Sequence, residues 1–219
     1  MENAILPPGD EDPGAAVAAR VARRSLARRQ SAYAEEVRRL LDAGLAVMHR
    51  AGTTSAPRVA DIVREAGLSN DAFYRHFASK DDLVAAILEA GMVRLVGYLG
   101  HQMGKERLAD VQVRRWVEGV MAQAGDAEVA DATRAVIWNG GRAVDRFRDV
   151  ASLSYAPLTE LLVAPLTELG SADPSRDAAV IGQAAMGRMQ EFLWRREPPS
   201  RRDVDHVARF CLAGIGRSA

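Results

Sequence analysis

Apolar residues recur at helical spacing along most of the chain, and the strict alternation of a half-buried strand is scarce. The first clear stripe is Tyr33, Val37, Leu40, Leu41, Gly44, Leu45 and Met48, which predicts a helix over 31–50 with Gly52 as its stop. After a turn of small residues, Val59, Ile62 and Val63 predict a short helix over 58–66. Gly67 ends it, Leu68 plugs the turn, and Ser69 is placed to cap a third helix reaching Phe77. Ser79 is placed to cap a fourth helix from Lys80, with Asp81 and Asp82 in the first turn, where the helix dipole favours acids. That helix carries Leu83, Ile87, Leu88, Val93, Leu95, Val96 and Leu99 and is long enough to leave one domain and enter another. Beyond it the pattern predicts helices over 106–124, 127–139, 142–152, 154–169, 175–196 and 201–214, with a break joining the 142–169 pair as an alternative. Gly140-Gly141, Gly170, Pro174 and Pro198-Pro199 are the breakers, and Pro157 and Pro165 predict a kink. The fold class is all-α.

Composition adds a direction. At 219 residues, 48% apolar and 26% charged, the chain is a globular protein with ample material for a core. The net charge of zero hides an uneven spread: 1–19 carries −4, 20–80 carries +6 and 81–219 carries −2. A basic segment on a mildly acidic body predicts a module for a polyanion. No window of 18 residues is free of charged and polar breaks, which argues against a membrane-spanning helix. The acidic, proline-rich start does not read as a secretory signal. A lone cysteine, Cys211, makes neither an internal disulfide nor a cysteine zinc site, and the expected compartment is the cytoplasm.

Two short helices joined by a tight glycine turn inside a basic segment form a helix-turn-helix pattern. Its second helix would project Asn70, Asp71, Ala72, Tyr74 and Arg75 outward, with Arg75 able to reach guanine edges or phosphate. A buried helical hairpin would show a similar generic pattern. The stretch from Arg38 to Glu89 is more specific. It contains G-L-S-x-x-x-F-Y-x-H-F-x-S-K-x-x-L from Gly67 to Leu83 and resembles the TetR/AcrR family of bacterial transcriptional regulators.

The resemblance implies a three-helix DNA-binding head over 30–80, with the third helix as the recognition helix, and an effector-binding and dimerisation domain over 81–219. It places Tyr74, His76 and Lys80 on positions that contact phosphate, with Ser69, Asn70 and Arg75 on the same helix or its cap. Asp71 and Ala72 depart from the Gly and Thr common in the family, and Pro57-Arg58 replaces hydroxyl residues, so Arg58 is expected to supply a charge-assisted contact instead. Residues 1–29 read as a disordered arm. Its arginines, among them Arg24, Arg28 and Arg29, either form a solvated basic tail or follow the DNA backbone and enter the adjacent minor groove.

Past Gly100 no motif is recognisable. The large apolar residues of the middle helices, Met103, Trp116, Val120, Met121, Trp138, Phe147, Tyr155, Leu158 and Leu162, are the candidates for an effector pocket, with His101, Gln123 or Asn139 as polar groups. Ordinary core packing explains any one of them equally well. The last two helices carry stripes expected at a two-fold interface: Val180, Ile181, Ala184, Ala185, Met189 and Phe192, then Val207 and Cys211. The function so implied is a homodimeric repressor of transcription that binds a palindromic operator in double-stranded DNA, with no cofactor and no metal. A hydrophobic or amphipathic small molecule would release it. An all-helical enzyme or carrier is the competing class, although the four histidines are dispersed and no phosphate loop is present. A DNA-binding dimer without an effector site is the third.

Overall fold

The computed structural model describes residues 13–143 and 155–216, and among these it contains nine α-helices and no strand. They are α1 (Pro13–Ala51), α2 (Val59–Ala66), α3 (Asn70–His76), α4 (Lys80–Met103), α5 (Ala109–Met121), α6 (Ala127–Ala143), α7 (Ala156–Glu168), α8 (Pro174–Arg195) and α9 (Arg201–Ala213). A single 3₁₀ turn, Ala122–Ala124, follows α5.

Local signals set the head. The left-handed Gly67 (φ 62°) closes α2: its own N–H donates to the Arg64 carbonyl, and the Leu68 N–H reaches back to the Val63 carbonyl at 2.9 Å. This paired closure needs a residue that tolerates positive φ. The Ser69 hydroxyl accepts from the Ala72 N–H at 3.1 Å to start α3, and the Ser79 hydroxyl accepts from the Asp82 N–H at 3.2 Å to start α4. The helices then close over one apolar cluster, in which Leu40, Met48, Ile62, Phe73 and Leu83 are all but fully buried.

α4 leaves the head and enters the body. Leu83, Val84 and Ile87 lie in the head cluster, whereas Leu99 and Met103 lie in a second cluster built with α5, α7, α8 and α9. α6 also spans the boundary, because its Ala135 is buried in the head cluster. In the body, Trp116 is completely buried and its Nε1–H donates to the Leu158 carbonyl at 2.8 Å, tying α5 to α7. Arg134 is buried too. Its guanidinium donates to the Leu193 carbonyl at 2.7 Å and pairs with Asp131, so α6 satisfies the last turn of α8. A reciprocal capping box between Ser200 and Asp203 opens α9.

Three expectations change, and a fourth falls mostly outside the described residues. The first helix begins at Pro13, not at Ser31. Residues 15–43 hold no Gly or Pro and are rich in Ala and Arg, so helix propensity carries the first helix back through the arm, although 17–35 are exposed to solvent. Residues 142 and 143 end α6, and the rest of the helix expected over 142–152 lies outside the described residues. Pro157 sits in the first turn of α7, where its missing N–H costs nothing, so it begins the helix and does not bend it; α7 continues through Pro165 to Glu168. Finally, α4 is long and apolar enough to cross a membrane by length and composition, with a mean hydropathy of 1.6 over 18 residues. It packs against α1, α5, α6 and α7, and 22% of that stretch is buried.

Trp116→Phe keeps an aromatic ring in place but deletes the link to Leu158. It is expected to lower the unfolding free energy in urea by about 1–3 kcal/mol. An unchanged midpoint would mean that the α5–α7 link carries no such weight.

Candidate nucleic-acid interface and effector cavity

The face of α1 that meets the helix-turn-helix carries three polar or aromatic side chains at successive turns, and together they fix α3. The Arg39 guanidinium donates to the Ala66 carbonyl and to the Gly67 carbonyl (3.1 Å), so it satisfies the end of α2 at the turn itself. One Glu36 oxygen accepts from Arg75 at 3.0 Å and lies 2.7 Å from Nε2 of His76. The Tyr33 ring meets the His76 ring edge-on, with centroids 4.2 Å apart. Chain segments about 40 residues apart are thereby tied, and α3 cannot roll without breaking a charge-assisted contact.

With the turn fixed, α3 turns Asn70, Asp71, Tyr74 and Arg75 to solvent, while Ala72 and Phe73 are buried. Ser69 is exposed as the cap, Lys80 stands half-buried at the first position of α4, and Arg58 is exposed immediately before α2. Asp71 lies in the first turn of α3, where the helix dipole favours an acid, and Ala72, expected to face outward, is buried in the head core. Arg24, Arg28 and Arg29 are exposed along the helical arm.

His76 is the exception among the expected DNA-binding residues. Its side chain is wholly buried, with Nε2 engaged by Glu36 and Nδ1 unpartnered in the interior, so it positions α3 and does not face a phosphate. Glu36 and Arg39 were not among the expected site residues. Their signal in the sequence is their place on the same helix face as Tyr33 and Leu40.

The second feature is a cavity of about 540 Å³ between α4 and α6, closed at its sides by Leu45 of α1, by Tyr155 and by Met186 and Met189 of α8. Its α4 wall is Ile87, Leu88, Gly91, Met92, Arg94, Leu95 and Tyr98, and its α6 wall includes Thr133, Val136, Ile137 and Gly140. A Cβ on Gly140 would stand 2.6 Å from a methyl of Leu88, so the two helices approach closely at the head-side end. Of the expected pocket residues, Tyr155 lines the cavity, as does Gln123 among the polar ones. Met103, Trp116, Val120, Met121, Leu158 and Leu162 fill the body core instead, because large apolar side chains with almost no exposure occupy space and do not border it. Trp138 is half-buried on α6 away from the lining, His101 is exposed, and Asn139 is a satisfied interior amide donating to the Ala135 carbonyl at 2.8 Å. Phe147 lies outside the described residues. Gly91 and Ala132 are the small residues that leave the volume open, and these were the missed signal.

The expected interface residues also divide. Ile181, Ala185, Met189, Phe192, Val207 and Cys211 belong to the chain's own core, whereas Val180 is 62% exposed and Ala184 is half-buried. Apolar residues of α8 and α9 that do face outward include Val180, Trp194 and Phe210. Burial pushes the Cys211 thiol up to about 11, so it is not a thiolate near neutral pH.

The profile of the family described as bacterial regulatory proteins, tetR family, matches residues 40–87. Among solved structures, a protein of Mesorhizobium loti MAFF303099 assigned to the tetR family of transcriptional regulators aligns with a TM-score of 0.60 at 19% identity, over 84% of this chain and 94% of its own. The fatty acid degradation regulator FadR of Bacillus halodurans gives 0.57 at 18% identity, over 84% and 97%. The transcriptional regulator FadR of Bacillus subtilis, solved with stearoyl-CoA, gives 0.53 at 14% identity, over 81% and 96%. At such identities the likeness is one of fold. No curated protein matches the chain.

The hydrogen bond from His76, reinforced by the charge of Arg75, holds the Glu36 carboxyl below its ordinary value of 4.5. A depressed carboxylate stabilises the fold above its ordinary value and loses that contribution as pH falls through the folded one. Glu36→Gln should therefore unfold with a shallower dependence on pH below 4.5 than the parent chain, measured by urea denaturation. Parallel pH profiles would remove Glu36 from this role.

Proposed function

We propose an effector-responsive repressor of transcription, a reading supported by the match of residues 40–87 to the tetR family of bacterial regulatory proteins and by the likeness of the fold to solved tetR-family regulators. It binds a palindromic operator as a homodimer. The observation that carries this reading is the exposed face of α3, with Asn70, Tyr74 and Arg75 held in place by Glu36 and flanked by Lys80. Such a helix fits the major groove, where Arg75 reads guanine edges or grips phosphate. Arg75 exchanges its Glu36 partner for DNA, or shares the two, at little cost on an exposed surface. Arg58 and Lys80 add phosphate contacts from either side.

The arm contributes along the backbone. An α-helix is about 10–12 Å across and the minor groove about 6 Å wide, so Arg24, Arg28 and Arg29 follow phosphates beside the operator and do not enter the groove. Two heads on a two-fold dimer, joined through the outward faces of α8 and α9, then meet successive major grooves. The cavity takes a mostly apolar small molecule, a reading supported by its aliphatic walls and by the stearoyl-CoA bound to the Bacillus subtilis relative. Release follows when that molecule binds the DNA-incompetent spacing of the heads more tightly than the competent one. Gene regulation of this kind places the protein in the cytoplasm.

Selection of bound duplexes from a random pool, followed by titration across salt, tests the reading. A palindrome bound by two chains with a steep salt slope is expected. Replacing Arg24, Arg28 and Arg29 by Ala should flatten the slope by up to about 0.9 for each phosphate that is no longer neutralised. Failure to enrich any duplex contradicts the regulator reading, and identical slopes contradict the arm.

A further inference from the structure

Arg75 stands on the exposed face of α3 with 57% of its side chain open to solvent, yet its guanidinium is held. Its Nη2 donates to Glu36 Oε2 at 3.0 Å, and the same oxygen lies 2.7 Å from Nε2 of His76. The Glu36 carboxyl is held below its ordinary value of 4.5. Near neutral pH it is a carboxylate that only accepts, so Nε2 of His76 carries the proton they share. The His76 side chain is wholly buried and meets the Tyr33 ring edge-on. A fixed imidazole thus anchors a carboxylate, and the carboxylate anchors the guanidinium.

A rival partner sits on α3 itself. Asp71 lies one turn before Arg75, the order in which an acid and a base pair best along a helix. Among the described residues Asp71 forms no ion pair, and Arg75 is drawn to α1 instead. One N–H of the guanidinium fork is engaged there, and the others are unoccupied among the described residues. They suffice for the two-pronged contact that guanine offers through O6 and N7. A free arginine loses rotamer freedom when it meets a base, and it grips whichever acceptor it reaches, phosphate included. A clamped one has given up that freedom in the folded chain and presents one orientation.

We propose that Glu36 is a positioning residue for base recognition, holding the Arg75 guanidinium so that each operator half-site is read at a guanine. This rests on the DNA-binding reading of α3 and adds both the base and the residue that makes Arg75 selective. Arg75 keeps its Glu36 partner when DNA is bound. The clamp serves discrimination more than affinity, because the Glu36 charge repels phosphate while the orientation it imposes favours one base.

The test uses the full chain on duplexes selected by the parent chain, with each base of the half-site varied in turn and a random duplex as reference. Replacing one guanine should cost about tenfold in affinity, and Arg75→Ala should erase that difference. Glu36→Gln can still accept from His76 but lacks the charge. It should reduce the guanine preference by about threefold and bind the random duplex at least as tightly as the parent chain. In the Arg75→Ala background it should change base preference no further. Should Glu36→Gln fail to fold, Glu36→Asp, which keeps the charge and shortens the reach, carries the same expectation for the guanine preference. An undiminished preference, or an equal loss on operator and random duplex, overturns the clamp. An operator without a guanine sensitive to Arg75→Ala overturns it too and leaves the regulator reading intact. If the parent chain selects no duplex, the regulator reading fails and this proposal with it.

Discussion

One helix serves two cores. α4 contributes Leu83, Val84 and Ile87 to the head and Leu99 and Met103 to the body, so head and body cannot be displaced without moving it. Two glycines make the grip tight. A Cβ on Gly44 would fall 2.8 Å from a methyl of Ile87, and one on Gly140 would fall 2.6 Å from a methyl of Leu88. α4 is thus held between α1 and α6 at the level where the cavity begins. In the proposed function, a molecule seated between α4 and α6 would press on the side chains that fix α4 to the head, a mechanical route from the cavity to α3 without a separate relay.

The recognition helix itself has little independent stability. At seven residues α3 is far too short to persist alone, and it is kept by Phe73 in the head core and by the polar grip of α1. Arg39 secures the turn, and Glu36 secures Arg75 and His76. The division of labour is clear in His76, which is buried and directs the helix, and Tyr74, which is 58% exposed and free to meet a partner.

The head was legible in the sequence because its signals are local. Gly67, Ser69 and Ser79 act on backbone groups within five residues, and each does in the structure what its position predicts. The cavity was not legible, because whether an apolar side chain fills space or borders it depends on what packs opposite. Trp116 and Met121 have the size of pocket residues and are core, while Gly91 and Ala132 have almost no side chain and make the opening. The stripes of α8 and α9 were real, but amphipathicity alone does not say which partner a face meets, and most of those residues meet their own chain. Grips such as Glu36 with His76 join residues 40 apart and leave only the helix-face register as a trace.

In the proposed function the cavity and the exposed face of α3 are coupled through α4. The most direct measurement is a linkage square on the selected operator: operator affinity with and without saturating cavity ligand, and ligand affinity with and without operator. Coupling through α4 predicts that each weakens the other by the same factor, as reciprocity requires of two sites biasing one equilibrium. Operator affinity unchanged by a saturated cavity would contradict it.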